Sequence, residues 1–332
     1  MATTTIYFAT NRKPNRKTKP TNFGKGFSKK SLGDIRLGHA NVTNGKLDTS
    51  SIKVLPDNSK KGSQALFDEL RGSMKIDKID SLIFIHGFNV DFKKSIESAA
   101  KMGDFYFKLS KKSFKPNIFV FSWPSDGEID KYKNDRHDAE TSGYAFVRGM
   151  MKLSTFLKSS DPDVACKQKI HLIAHSMGNY VLRHALQQAN KIDGGKSLSR
   201  IFDNIILTAA DEDSDAFEFD YKLARLPDLA QRITVYFNSG DLALKLSKHT
   251  KGNPDRMGHD GPNKPHEIHA KVVLVDASSV VSGLSEHSYH QENKIVGRDI
   301  ISLLQGKGSE QFKHREYVPH ANKFKLLKLS DI

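Results

Sequence analysis

The chain has 332 residues, 37% of them hydrophobic, and a formal charge of +14. That is enough apolar material for a large buried core in one α/β unit or about two smaller ones, and no run of about 18 apolar residues offers a transmembrane helix. The start, MATTTIYFATNRK, lacks the basic and apolar regions of a secretory signal, and the single Cys166 excludes a disulfide framework within the chain, so a cytoplasmic protein is expected.

In chain order, TTIYFAT reads as a first strand. A basic block follows at 11–30, where Arg12, Lys13, Arg16, Lys17, Lys19, Lys25, Lys29 and Lys30 occur without an acid. Its prolines and glycines predict a solvated loop. Phe23 and Phe27 alone make a weak stacking platform, so no specific nucleic-acid partner is expected. An anionic membrane surface is the partner such a block could attract.

DIRLGHANVT and SIKVLP read as short extended pieces, SQALFDELRGS as a helix and DSLIFIHGFNV as a strand buried on both faces. Asp91 caps a helix that carries Phe92, Ile96, Ala99, Tyr106 and Leu109 near helical spacing. NIFVFSWPS is the next strand. The spacing of Phe146, Met150, Leu153 and Leu157 predicts a helix over 138–158. Then come a strand, KIHLIAH, a helix, GNYVLRHALQQAN, and three strands, FDNIILTAA, RITVYFN and HAKVVLVDA. VGRDIISLLQG closes as a helix, with Gly306 as its stop signal.

This alternation predicts an α/β fold with a mostly parallel sheet, helices on both faces, and ligands at the carboxyl ends of the strands. The stretch 245–270, rich in Gly and Pro, departs from it and is predicted as a long surface loop. His259, Asp260, His266 and His269 in that loop match no zinc-ligand spacing, so neither metal nor organic cofactor is expected.

In LIAHSMGNYV, Ser176 stands between a strand and a helix with almost no loop. Such a turn forces its central residue into a strained backbone and lifts the side chain clear of the sheet. The positions two before and two after must be small; they are Ala174 and Gly178. The usual pattern is G-x-S-x-G, and A-x-S-x-G stands here. The following helix N-terminus favours developing negative charge.

A serine needs a base, an orienting carboxylate and an oxyanion hole, and in this kind of fold the chain order is serine, acid, histidine. His86-Gly87-Phe88 directly follows an apolar strand, so the backbone N–H groups of Phe88 and Met177 are the expected oxyanion donors, with Gly87 permitting the turn between them. His86 reads as structural. Asp241, past RITVYFN in FNSGDLALKL, is the expected acid, and Asp213 in TAADEDSDAF, beside Asp211, is its competitor. His287 in EHSYH is the expected base, with His290 in reserve.

YFATNR, FIHGFNV, FSWPS, HLIAHSMGNYVL, TAADEDSDAF, FNSGDLALKLS, DRMG, EHSY and VGRDIISLL run in order along most of the chain. Together they resemble a bacterial α/β-hydrolase family of unknown function within the esterase/lipase superfamily. The resemblance, from Ile6 to about Leu304, implies an α/β-hydrolase fold, and a single domain over 1–332 is expected. It also implies a nucleophile at Ser176, an acid at Asp241 and a base at His287, with Trp123 and Arg12 near the site. Glu286 departs from the family's glycine before His287.

The expected function is hydrolysis of a small-molecule carboxylic ester through an acyl-enzyme. Two other readings use the same scaffold: an acyltransferase or lipase at an anionic membrane surface, and a binding protein without catalysis. Trp123, Phe88 and Met177 would give the pocket an apolar lining. Substrate identity and oligomeric state are not legible in the sequence.

Overall fold

Branched, apolar strands alternate with amphipathic helices to build one twelve-stranded sheet. The structure is a computed structural model, and it describes residues 3–28, 31, 33–55, 63–159, 168–193, 200–245, 254–281 and 287–328. Cys166, Glu286, Lys29 and Lys30 lie outside the described residues.

The strands are β1 (Thr3–Thr10), β2 (Arg12–Pro14), β3 (Phe23–Phe27), β4 (Arg36–Thr43), β5 (Lys46–Leu47), β6 (Lys53–Val54), β7 (Ser81–Ile85), β8 (Asn117–Ser122), β9 (Ile170–His175), β10 (Phe202–Thr208), β11 (Ala230–Phe237), β12 (Val272–Asp276), β13 (Arg315–Val318) and β14 (Lys323–Leu326). The main helices are α1 (Gln64–Asp77), α2 (Phe92–Leu109), α3 (Tyr132–Ser159), α4 (Gly178–Asp193) and α5 (Lys294–Leu304).

The sheet order is β13-β14-β12-β11-β10-β9-β7-β8-β1-β4-β5, with β6 also on β4. From β1 to β14 neighbouring strands run parallel; β4 and β13 add antiparallel margins. Leu82 and Phe84 face one core, with Ile96, Tyr106 and Ile300 from α2 and α5. Ile83 and Ile85 face the other, with Phe67, Phe146 and Val181 from α1, α3 and α4. Successive crossovers leave β7 in opposite directions, to β8 on one side and β9 on the other. A crevice opens at such a reversal, at the carboxyl ends of the strands.

Three elements differ from the sequence reading. The basic block is not a loop throughout: β2 and β3 pair as a separate antiparallel ribbon, with Arg12 and Phe23 buried. α3 begins at Tyr132 rather than at 138, because its first turn buries a polar residue, Asp135, and so shows no apolar period. In the described part of the long 245–270 stretch, a helical turn at Met257–Asp260 is anchored by the fully buried Arg256. The strands β13 and β14 have four residues each, too short for a period to register. Gly306, at φ +90°, ends α5 as expected.

A cavity of about 160 Å³ lies between α1, the second half of α3 and the starts of β7, β8 and β9, lined mainly by Phe67, Phe119, Phe146, Met150 and Phe156. It is at the opposite end of the strands from Ser176.

Candidate active site

β9 ends at His175, paired with Thr208 of β10, and α4 begins at Gly178. Only Ser176 and Met177 connect them. Ser176 has φ +53°, a left-handed conformation that costs a non-glycine residue about 1–3 kcal/mol. Its N–H donates to the Thr208 carbonyl at 3.0 Å and its carbonyl accepts from the Asp211 N–H at 3.2 Å, so the end of β10 and the loop after it hold the strained turn.

The small residues have a reason beyond the turn itself. A Cβ on Gly178 would lie 2.5 Å from the Ile85 carbonyl oxygen and 2.8 Å from that of His86. One on Gly87 would lie 2.8 Å from the Ser176 Cβ. The end of β7 therefore presses directly on the serine turn. Gly87 supplies room, and the left-handed residue of its loop is Asn89, at φ +61°.

Ser176 is 5% exposed, and its hydroxyl makes no hydrogen bond among the described residues. The Met177 N–H likewise has no acceptor among them. Phe88, half-buried, stands beside Gly87 with its ring 5.5 Å from that of Tyr132.

Past β11, the Asn238 side chain accepts from the Gly240 N–H at 3.0 Å, and the Asp241 N–H donates to the Asn238 carbonyl at 3.0 Å. This turn carries Asp241 to His287, whose Nδ1 lies 2.7 Å from Asp241 Oδ2. A carboxylate only accepts, so Nδ1 holds the proton and Nε2 of the neutral ring is the basic nitrogen. Burial alone would lower the His287 pKa, but the charge and hydrogen bond of Asp241 outweigh it and raise the group above its ordinary value. The His175 ring, adjoining Ser176 in the chain, is 4.9 Å from the His287 ring, and its Nε2–H donates to the His287 carbonyl at 3.1 Å. Burial holds His175 down to about 3, so it stays neutral.

The other sequence candidates are placed differently. His290 is fully buried against His175 and Phe84, with both ring nitrogens unpartnered, and burial holds its pKa well below the ordinary range. Asp213 accepts from Arg256 at 2.7 Å and from Lys222 at 3.0 Å, in an ion network rather than on a histidine. Trp123 is fully buried, stacked on His86 at 5.1 Å, with its indole N–H on the His86 carbonyl at 2.8 Å. Arg12 is also fully buried. It donates to the Ser122 hydroxyl at 3.0 Å and to the carbonyls of Val90 at 2.7 Å and Ser125 at 3.0 Å, holding the loop after Gly87 against the end of β8.

The histidine-rich loop residues are engaged separately: His259 Nδ1 with Asp260 at 2.7 Å, His266 with the His320 carbonyl at 3.2 Å, and His269 with the Lys271 N–H at 3.1 Å. Among the described residues, the carboxylates close enough to share a cation are Asp126, Asp135 and Asp138, within 4.8 Å of one another. Asp135 accepts from the Ser125 hydroxyl and from the N–H groups of Asp126 at 2.7 Å and Asn89 at 3.2 Å. Burial, with Asp126 and Asp135 nearby, pushes Asp138 up to about 7.

Sequence reading named Asp211 only as a competing acid and missed the wall it forms with Tyr132, Arg136, Tyr180 and Arg256. The Tyr132 hydroxyl donates to Asp211 Oδ2 at 2.7 Å, and Arg256 Nε lies 3.3 Å from Asp211 Oδ1. DRMG was the one sequence sign of Arg256; Tyr132 and Arg136 gave none, because they precede the apolar period that predicts the helix over 138–158.

Sheet order, crossovers and the strand–serine–helix turn together define an α/β-hydrolase fold. The chain belongs to the family described as alpha/beta hydrolase of unknown function (DUF900), whose model matches residues 63–307. It is 30% identical over 126 residues to the uncharacterized protein alr1448 of Nostoc sp., a match spanning 32% of this chain and 31% of that protein's length. Among solved structures it is similar to Trichoderma reesei cutinase in complex with a phosphonate inhibitor, at 11% identity and TM-score 0.30, covering 73% of this chain and 90% of that one. It is also similar to a lipase-esterase related protein from Clostridium acetobutylicum, at 14% identity and TM-score 0.22, covering 64% of this chain and 80% of that one.

Proposed function

We propose that this α/β hydrolase cleaves carboxylic esters with Ser176 as nucleophile, His287 as base and Asp241 as orienting acid. The observation that carries the reading is the 2.7 Å contact between His287 Nδ1 and Asp241 Oδ2, reached from two strand ends beside a serine held at φ +53°. His287 Nε2 takes the Ser176 proton as Oγ bonds to the ester carbonyl. The oxyanion is held by the N–H groups of Met177 and Phe88. His287 then protonates the leaving alcohol, and the acyl-enzyme forms. A water, deprotonated by the same nitrogen, adds to the acyl carbon; collapse releases the acid and restores the serine.

In this reading Gly87 lets the chain pass close to the serine, and Arg12 and Trp123 act as positioning residues for the loops on either side. The chain acts as one unit, since strands from both of its ends join the same sheet. Ser176→Ala is expected to abolish hydrolysis of 4-nitrophenyl acetate by the purified protein. Retention of more than a tenth of the wild-type rate contradicts the assignment.

The second reading, a lipase or acyltransferase at an anionic membrane surface, has its own observation. The β2–β3 ribbon and its turn expose Lys13, Arg16, Lys17 and Lys19 on one projection.

A further inference from the structure

Arg136 lies on the first turns of α3, half-buried, with its guanidinium carbon 4.0 Å from the centre of the Tyr180 ring. Tyr180 is in the first turn of α4, four residues after Ser176. Arg136 Nη1 also approaches the Tyr132 hydroxyl at 3.4 Å. Tyr132 in turn donates to Asp211, whose N–H bonds the Ser176 carbonyl, and its ring meets Phe88 at 5.5 Å. The guanidinium thus touches Tyr132 and Tyr180, and through Tyr132 it is linked to the loops that carry Asp211 and Phe88. Phe88, Arg136, Tyr180 and His287 are all partly open to solvent.

The neighbouring cations are already paired. Arg183 is 2.7 Å from Glu212, Arg256 is 2.7 Å from Asp213, and Lys222 is 3.0 Å from Asp213. Asp211, whose N–H bonds the Ser176 carbonyl, has its carboxylate 3.3 Å from Arg256. Arg136 has no carboxylate within 4.0 Å among the described residues. It keeps its charge: burial alone would lower its pKa, and Asp211 and the phenols more than reverse that. A guanidinium on an aromatic face with no carboxylate in contact has donors in a planar fork suited to carboxylate or phosphate oxygens.

We propose that Arg136, seated on Tyr180, is a specificity residue that binds an anionic group on the substrate, so that the preferred esters carry a carboxylate or phosphate near the scissile bond. The inference rests on the serine-hydrolase reading. The Arg136 guanidinium forms no bond in the reaction; its charge raises the affinity for esters of the right sign and excludes cationic ones. The net charge of +14 adds attraction of anions at longer range.

The test compares two pairs of probes that differ in charge. Mono-4-nitrophenyl glutarate against 4-nitrophenyl butyrate places the anion on the acyl side. 4-Carboxyphenyl acetate against 4-(methoxycarbonyl)phenyl acetate places it on the alcohol side. The readout is the ratio of kcat/KM, anionic over neutral, at constant ionic strength. Wild type is expected to show a ratio above ten for at least one pair. Arg136→Gln should lower that ratio at least tenfold, and Arg136→Lys should restore part of it. Arg298→Gln, an exposed residue of α5 on the other face of the sheet, should leave it within threefold. Turnover of the neutral esters with no preference in either pair overturns this inference alone, as does an Arg136→Gln variant that slows both members of a pair equally. Absence of turnover on all four probes overturns the hydrolase reading beneath it.

Discussion

At the residue scale, the proposed mechanism makes the Asp241–His287 pair the group that sets how activity responds to pH. The Asp241 carboxylate raises His287 against the effect of burial, and the base works only when neutral. Thus kcat/KM should climb with pH through a group titrating above the ordinary histidine value of about 6.5 and then level off. Asp241→Asn removes the charge and leaves the imidazole free to take the wrong tautomer. It should lower kcat by about 10³–10⁴-fold and move the apparent pKa down, as read from pH–rate profiles; an unmoved pKa contradicts the pairing. The same shift has a stability sign. Protonated His287 contributes fully below the unfolded value, and the contribution is lost as pH rises through the raised folded value.

The sequence points to the proposed Ser176, Asp241 and His287 because each follows a readable strand in a fixed order. It favours His287 over His290, three positions apart on the same segment, but strand order alone gives no physical reason for that choice. Their difference is contact and burial: one meets a carboxylate, the other is sealed against Phe84 and His175.

At the element scale, close packing around the serine turn depends on glycines whose role is space. Gly143 of α3 faces α4, where an added Cβ would lie 2.7 Å from the His184 carbonyl carbon. Glycine to alanine inside a helix ordinarily stabilises by about 0.5–1 kcal/mol. Overpacking against backbone costs about 1–3 kcal/mol, so Gly143→Ala should destabilise on balance. Urea unfolding should show a lower midpoint with an unchanged slope; a higher midpoint contradicts the packing account. The central strands and α2, α4 and α5 were legible because their apolar period is long. The first turns of α3 were not, since Asp135 and Arg136 there serve loops and the candidate site rather than the core. The β13–β14 pair was missed for lack of length, and Arg256 was missed because its ion partners come from a loop far away in sequence.

At the scale of the whole molecule, the last hairpin is tied to the core by buried charge. Asp299 of α5 accepts from Arg315 Nε at 2.8 Å, from His314 at 2.7 Å and from the Tyr236 hydroxyl of β11. Removing one partner of a buried pair costs about 3–5 kcal/mol, so Arg315→Met should lower the unfolding free energy by about that much. Burial tends to raise the Asp299 pKa, but the donors from His314 and Arg315 bring it below the ordinary carboxylate range. Its stabilisation is therefore present above about pH 4 and lost as pH falls through the depressed value. Unfolding midpoints of wild type and Arg315→Met should converge on acidification; parallel curves contradict that origin.

Surface charge gives a separate expectation for the lipase or acyltransferase reading. The basic β2–β3 projection should sediment with phosphatidylserine vesicles at about 20 mM salt and release at about 500 mM, as screening shortens its reach. No sedimentation at the lower salt removes that reading. Among the described residues, no helix is long and apolar enough to cross a membrane.

Covalent capture of the nucleophile bears most directly on the central proposal. Purified protein is treated with a fluorophosphonate, digested, and the modified peptide located by mass spectrometry. The adduct should sit on Ser176, be lost in Ser176→Ala, and form at least a hundredfold more slowly in His287→Ala. An adduct on another residue, or one whose rate ignores His287, contradicts the account.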